Sequence, residues 1–204
     1  MKFYMTPGSC STGIHILLEE AGLVFEAYVL NLSKGDHLKP EYLAINPKGT
    51  IPTLVRDDGV ALTDFVSIAT WIAEAFPRRK LLPEERASRD AALASLAFCV
   101  GHIHGEGFRR VFVPERYQRG GADVEAIQAE GRAIVASALL AMDSELAGKD
   151  YVAGSFSIAD AALFYNEFWA DKIGMELPPS CLAHYQRMKS RPAVRQVLAE
   201  EGYR

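Results

Sequence analysis

Cysteine is scarce: Cys10, Cys99 and Cys181 are the only three in 204 residues. They are too few and too scattered for a disulfide framework, and no pair has the spacing of zinc ligands, so no metal site is expected. Such usage fits a reducing compartment, and a cytoplasmic location is expected. A basic excess is also missing: 22 Lys+Arg stand against 26 Asp+Glu, a formal net charge of −4. A nucleic-acid binder that tracks phosphates is therefore not expected. No apolar run approaches the roughly 20 residues of a membrane span. The opening Met1-Lys2-Phe3-Tyr4-Met5-Thr6-Pro7 lacks the apolar core of a secretory signal. Neither membrane nor nucleic acid is expected as a partner. Internal repeats and low-complexity tracts are absent too. What is there is an ordinary globular composition, 49% hydrophobic and 24% charged, with length enough for a real core.

The chain reads as two halves. Lys2 to Met5 is a short apolar strand, stopped by Thr6-Pro7-Gly8. From Ser9 to Gly22 the period is helical, with Ile14, Leu17, Leu18 and Ala21 on one face and Gly22 at the C-cap. Phe25 to Leu30 reads as a second strand, Ser33 to Lys39 as polar loop, and Pro40 to Ile45 as a short helix ended by Asn46-Pro47. Thr53 to Arg56 and Val60 to Leu62 are strands joined by Asp57-Asp58-Gly59, a strong hairpin signal. Asp64 to Ala75 is helical again. The strand–helix–strand start implies a parallel pair with a right-handed crossover, and the hairpin makes the sheet mixed.

The stretch from Phe76 to Glu85 carries two prolines and a charge cluster and reads as a linker. Beyond it the strand signals stop. Long helical periods run from Arg86 to about Phe112 and from Asp123 to about Leu146. Shorter ones cover Ser157 to Trp169, Leu182 to Lys189 and Ala193 to Glu200. The expected organisation is an α/β domain at 1–76, a linker at 77–85 and an all-helical domain at 86–204.

Few residues suggest chemistry. Cys10 stands at the start of the first helix, where free N–H groups and partial positive charge favour a thiolate and should lower its pKa. Gly13 stands where a resolving cysteine would be, so any redox chemistry is monothiol. A small buried hydrophobe is the other reading of Cys10. In Asn46-Pro47-Lys48-Gly49-Thr50-Ile51-Pro52, Pro52 opens a strand, where its missing N–H is tolerable. A cis Ile51-Pro52 bond would turn the main chain of Ile51 toward a cleft able to pair with an extended peptide, although trans is the commoner form. Asp64 is a natural N-cap, and the backbone N–H groups near Phe65 offer a carboxylate site. Ser157-Ile158-Ala159-Asp160 makes a capping box, a device for starting a buried helix. His102 and His104 lie on different sides of their helix and form no metal face. Trp71 and Trp169 sit at apolar positions of the core.

Taken in order, Tyr4-Met5-Thr6-Pro7-Gly8-Ser9-Cys10-Ser11, Asn46-Pro47-Lys48-Gly49-Thr50-Ile51-Pro52 and Ser157-Ile158-Ala159-Asp160 resemble the cytosolic glutathione S-transferases along essentially the whole chain. The opening segment, with its cysteine, is similar to the bacterial beta class. The resemblance implies a thioredoxin-like first domain with a mixed four-stranded sheet, an all-helical second domain and a homodimer. It implies transfer of the glutathione thiolate to a small hydrophobic electrophile without a metal. A glutathione-dependent thiol–disulfide exchange through Cys10, or a non-catalytic ligand-binding module, are the alternatives. By the same resemblance Pro52 is a cis-proline, and Ile51 pairs its main chain with the cysteinyl part of glutathione. Asp64 and the backbone at Phe65 hold the γ-glutamyl end, and Cys10 lies beside the glutathione sulfur. Ser9 and Ser11 are further thiolate donors, with Ser11 counted as catalytic. His104 reaches the site from the first long helix of the second domain. Lys34, with His37 as alternative, and Lys48 belong to the glutathione site. Phe108 and Phe112 line the substrate pocket. Most members follow the acidic residue with serine. Phe65 stands there in this chain, so the hydroxyl contact is lost and the N–H is left.

Overall fold

The computed structural model describes residues 1–118, 120–121 and 123–203. Along Lys2–Met5 (β1) Phe3 and Met5 are buried and Lys2 and Tyr4 are not, the alternation of a half-buried strand. Ser11–Ala21 (α1) crosses over to Glu26–Val29 (β2), which pairs parallel to β1 with Phe3 opposite Ala27. Two short 3₁₀ turns, Leu32–Lys34 and Asp36–Leu38, occupy most of the expected polar loop, where Asn31 Oδ1 accepts from Lys34 N–H. Pro40–Leu43 (α2) leads to the hairpin of Thr53–Val55 (β3) and Ala61–Thr63 (β4). Its turn closes as Gly59 N–H donates to Arg56 O, with Gly59 at φ 83°. The sheet order is β2-β1-β3-β4, the first pair parallel and the others antiparallel, so the mixed four-stranded sheet stands as expected.

Phe3, Met5 and Leu54 join Ile14, Leu17 and Leu18 of α1 and Ile68 and Ile72 of Phe65–Ala75 (α3) in one core. On the other face Tyr4 stacks on Tyr28 at 5.0 Å and meets Tyr42 of α2 at 5.5 Å.

The second half is helical: Arg86–Phe98 (α4), Arg109–Phe112 (α5), Val124–Leu146 (α6), Ile158–Lys172 (α7), Pro179–Ser190 (α8) and Pro192–Glu200 (α9). The uniform helix expected from Arg86 to Phe112 is not uniform. Its middle, Cys99–Phe108, winds as a π-helix. Gly101, Gly105 and Gly107 free this stretch from side-chain restraint, and wide turns of this kind gather at functional sites. At Gly107 a Cβ would come within 2.5 Å of Val135 Cγ2, so only glycine lets α6 lie this close.

Helix α7 is the axis of the molecule, buried without a break from Ile158 to Ala170. Its start is the expected capping box: Ser157 N–H and Oγ both bond Asp160 Oδ2 at 2.8 Å. The two halves meet along α1, α7 and α9. A Cβ on Gly13 would sit 2.7 Å from Phe65 Cε2 and 2.8 Å from Ala161 O, so glycine is needed there for α1 to approach α7. Arg191 grips the Glu20 carboxylate with two N–H groups, at 2.7 and 2.9 Å.

A buried charge cluster lies under α7. The Nδ1–H of His184 donates to Glu167 at 2.8 Å and its Nε2–H to Asp160 at 3.2 Å, with all three side chains fully buried. Burial opposes the imidazole's charge, but Glu167 and Asp160 outweigh it and hold the pKa up at about 10. A raised pKa means that this proton's stabilisation is complete below about 6.5 and is lost as pH rises through about 10. His184→Ala leaves two buried carboxyl groups without their partner and should cost about 3–5 kcal/mol. Calorimetric melting across pH 6 to 10 tests this. The wild type should lose stability along that range, and the variant should be less stable throughout and flatter.

Candidate active site

The loop after β1 is built from its own side chains. Ser11 Oγ accepts from Thr6 N–H at 3.1 Å, donates to Thr6 O at 3.0 Å and lies 2.6 Å from Ser9 Oγ. Thr6 Oγ1 donates to Leu30 O at 2.7 Å. Ser11 is wholly buried in this network. Its hydroxyl ties the loop to Thr6 and Ser9.

The same loop is gripped from the helical half. Trp169 Nε1–H donates to Gly8 O at 2.7 Å, while Gly8 N–H donates to Glu201 Oε2 at 2.8 Å. Glu201 also accepts from Thr12 Oγ1 at 2.6 Å, and its Oε1 lies 2.9 Å from His15 Nδ1. Tyr203 fills the space in front of Gly8: a Cβ there would lie 2.0 Å from its hydroxyl oxygen, and the φ of 72° already favours glycine.

Held by this clamp, Cys10 opens α1 with its Sγ donating to Ile51 O at 3.7 Å. The thiol is buried, and burial pushes its pKa up to about 12 against the lowering effect of the Cys10 and Ser11 N–H groups. The expected depression of this pKa is thus reversed, because desolvation of the thiolate outweighs the helix N-terminus. The side chain is buried, as the reading of Cys10 as a small buried hydrophobe expects.

The Ile51-Pro52 bond is cis. A polar knot holds the loop before it. Buried Asn46 donates from Nδ2 to Thr50 O at 2.8 Å and to Thr53 Oγ1 at 3.0 Å, and its Oδ1 accepts from Lys48 N–H at 3.1 Å. Tyr42 Oη bonds Thr53 Oγ1 at 2.8 Å. Lys48 itself is exposed, and so is Lys34 on the neighbouring 3₁₀ turn. His37 comes nearer to the loop: its carbonyl oxygen lies 3.2 Å from where a Cβ on Gly49 would be.

Asp64 caps α3, its Oδ1 accepting from Ser67 N–H at 3.1 Å, and its backbone stands at φ 134°. That conformation is sparsely populated outside glycine and is one that surrounding structure must impose. It leaves an exposed carboxylate beside the first-turn N–H groups of Phe65 and Val66, which have no acceptor within the helix. The Phe65 ring turns inward against Gly13 and Tyr165, so only its main chain is offered to the site.

From the second half, half-buried His104 packs edge-on to Trp169 at 4.9 Å and to Tyr165 at 5.8 Å. Its Nδ1 lies 3.2 Å from Tyr165 Oη. Burial, helped by Arg109, holds its pKa down at about 4, so it is neutral at physiological pH. Phe108 is fully buried beneath Phe112, the two rings stacked at 5.5 Å. Phe112 is half-exposed and packs edge-on to Trp169 at 5.3 Å. Among the described residues the group of donors able to hold a metal is His15, Glu19 and Glu200, on α1 and α9. His15 is already paired there with Glu200 and Glu201.

Tyr165 and Glu201 went unread in the sequence. Tyr165 sits inside an apolar helical run, and Glu201 in a charged C-terminal segment that looks like solvated surface. Trp169 is more than the core filler expected of it, because its indole N–H serves Gly8.

Residues 8–75 match the family model for the glutathione S-transferase N-terminal domain and residues 124–199 that for the C-terminal domain. Glutathione S-transferase GstA of Escherichia coli O157:H7 is 34% identical over 99% of both chains. A glutathione transferase homologue from Sulfitobacter, solved with bound glutathione, superposes with a TM-score of 0.91 at 26% identity, covering 98% of this chain and 97% of that one. The beta class enzyme of Sphingomonas chungbukensis gives 0.86 at 31% identity over 99% of each. The chain belongs to the glutathione S-transferase family and is similar to its bacterial beta class.

Proposed function

We propose that this protein binds glutathione across the Cys10, Ile51 and Asp64 elements and transfers its thiolate to a small hydrophobic electrophile. The observation that carries this reading is the contact of Cys10 Sγ with Ile51 O at 3.7 Å. It brings the helix N-terminus that would receive a sulfur next to the main chain that would receive a cysteinyl peptide unit. The Asp64 carboxylate suits the γ-glutamyl ammonium, and the Phe65 and Val66 N–H groups suit the adjoining carboxylate. Lys34, His37 and Lys48 are the residues offered to the glycyl carboxylate in this reading.

In this reading the nucleophile is the sulfur of glutathione. Cys10, held protonated, donates S–H to it, and the N–H groups at the start of α1 add partial positive charge. The bound thiolate forms a carbon–sulfur bond as the electrophile's leaving group departs with its electron pair. Orientation beside the Phe112–Trp169 wall supplies much of the rate. The helical half, 86–204, furnishes that wall, and 1–76 holds glutathione, with 77–85 between them. A homodimer in the cytoplasm completes the reading, and the free state of Cys10, Cys99 and Cys181 supports that compartment.

Two outcomes follow. Cys10→Ala should keep glutathione binding in titration calorimetry and lower conjugation by about 10–100-fold without abolishing it, since one hydrogen bond to a charged group is removed. Glutathione-dependent disulfide exchange that Cys10→Ala abolishes would instead make Cys10 the nucleophile and the protein an oxidoreductase. Asp64→Ala should weaken glutathione by about 10–100-fold through the lost charge-assisted bond. Unchanged affinity in that titration would remove Asp64 from the site.

A further inference from the structure

Tyr165 has no part in the family pattern drawn from the sequence, yet it stands where the site's elements converge. It lies in the fully buried α7, wholly enclosed itself, with its ring 5.2 Å from Phe65 and 5.0 Å from Trp169. Trp169 grips Gly8 in the Cys10 loop. Every other buried polar side chain of α7 has a structural duty: Asp160 and Glu167 hold His184, and Asn166 Nδ2 bonds Ala162 O and Cys99 O. The Tyr165 hydroxyl goes instead to His104 Nδ1, at 3.2 Å.

We infer that Tyr165 is a positioning residue that acts through His104: its O–H donates to Nδ1, fixes the neutral Nε2–H tautomer and aims that N–H into the cleft. A neutral imidazole has one donor and one acceptor nitrogen, so a phenol bonded to Nδ1 decides which is which. Burial, with Cys10 and Cys99 nearby, keeps the phenol protonated and therefore a donor. The far nitrogen, Nε2, has no partner among the described residues and is not enclosed, since the buried unpaired side-chain atoms there are His37 Nδ1 and Asn166 Oδ1. Edge-on packing against Trp169 and Tyr165 stops the ring from turning over. His104 thereby offers one fixed donor to the sulfur or the electrophile. This assignment rests on the glutathione transferase reading for its substrate, but not for its tautomer.

Tyr165→Phe tests it, because the ring and its packing stay and the hydroxyl goes. Conjugation should fall about fivefold in kcat, the effect of one neutral hydrogen bond, with KM for glutathione little changed. In a His104→Ala background the same substitution should have no further effect. Equal losses in both backgrounds would overturn the inference, as would none in either. Imidazole nitrogen shifts measured by NMR on the free protein decide the tautomer separately. The wild type should show protonated Nε2, and Tyr165→Phe should shift it toward a tautomer mixture. Protonated Nδ1 in the wild type would refute the assignment even if conjugation is found. Absence of conjugation in the wild type would remove the substrate reading while leaving that spectrum to judge the tautomer.

Discussion

One glycine holds the Cys10 loop to the helical half. Gly8 offers its carbonyl to Trp169 and its N–H to Glu201, and both partners belong to the helical half. The loop that presents Cys10 is therefore held by residues more than a hundred and fifty places away as well as by its own bonds to Thr6 and Leu30. Gly13 lets α1 approach α7 closely enough for these bonds to form, and the Arg191–Glu20 pair braces the same interface. Remove the helical half and the strand–helix turn loses both hydrogen bonds of its central glycine. The two halves make one site because neither can set the Cys10 loop alone.

That constraint also explains the electrostatics. A helix N-terminus stabilises an anion by about 0.3–2 kcal/mol, at most about one and a half pKa units. Burial acts the other way and is stronger, taking the Cys10 thiol up to about 12. A buried thiol is a poor nucleophile and a serviceable donor. His104 follows the same rule with the opposite sign: burial keeps it neutral and so leaves it one acceptor and one donor.

Local pattern made much of this legible. The β1 alternation, the Asp57-Asp58-Gly59 turn, the Gly22 cap and the Ser157–Asp160 box are written in a few adjacent residues, and the structure has each of them. Spacing placed Asp64 at its cap. Other features depend on what packs from far away. The pKa of Cys10 followed from enclosure by α7, which no local motif reports. Phe108 and Phe112 read alike on a helix of ordinary period, and only the π-helical winding between Cys99 and Phe108 decides that one is core and the other wall. The buried Glu167–His184 pair joins two helices whose sequences, read singly, show only a polar residue on an apolar face.

In the proposed reaction the reacting sulfur arrives with the ligand, and Cys10 stays protonated beside it. Thiolate absorbance in the ultraviolet, followed through a pH titration with Cys99 and Cys181 left buried, tests this directly. The free protein should show no thiolate signal below about pH 10, and adding glutathione should create one at a pH below that of glutathione in water. A thiolate titrating near neutrality in the free protein, and vanishing in Cys10→Ala, would contradict the account.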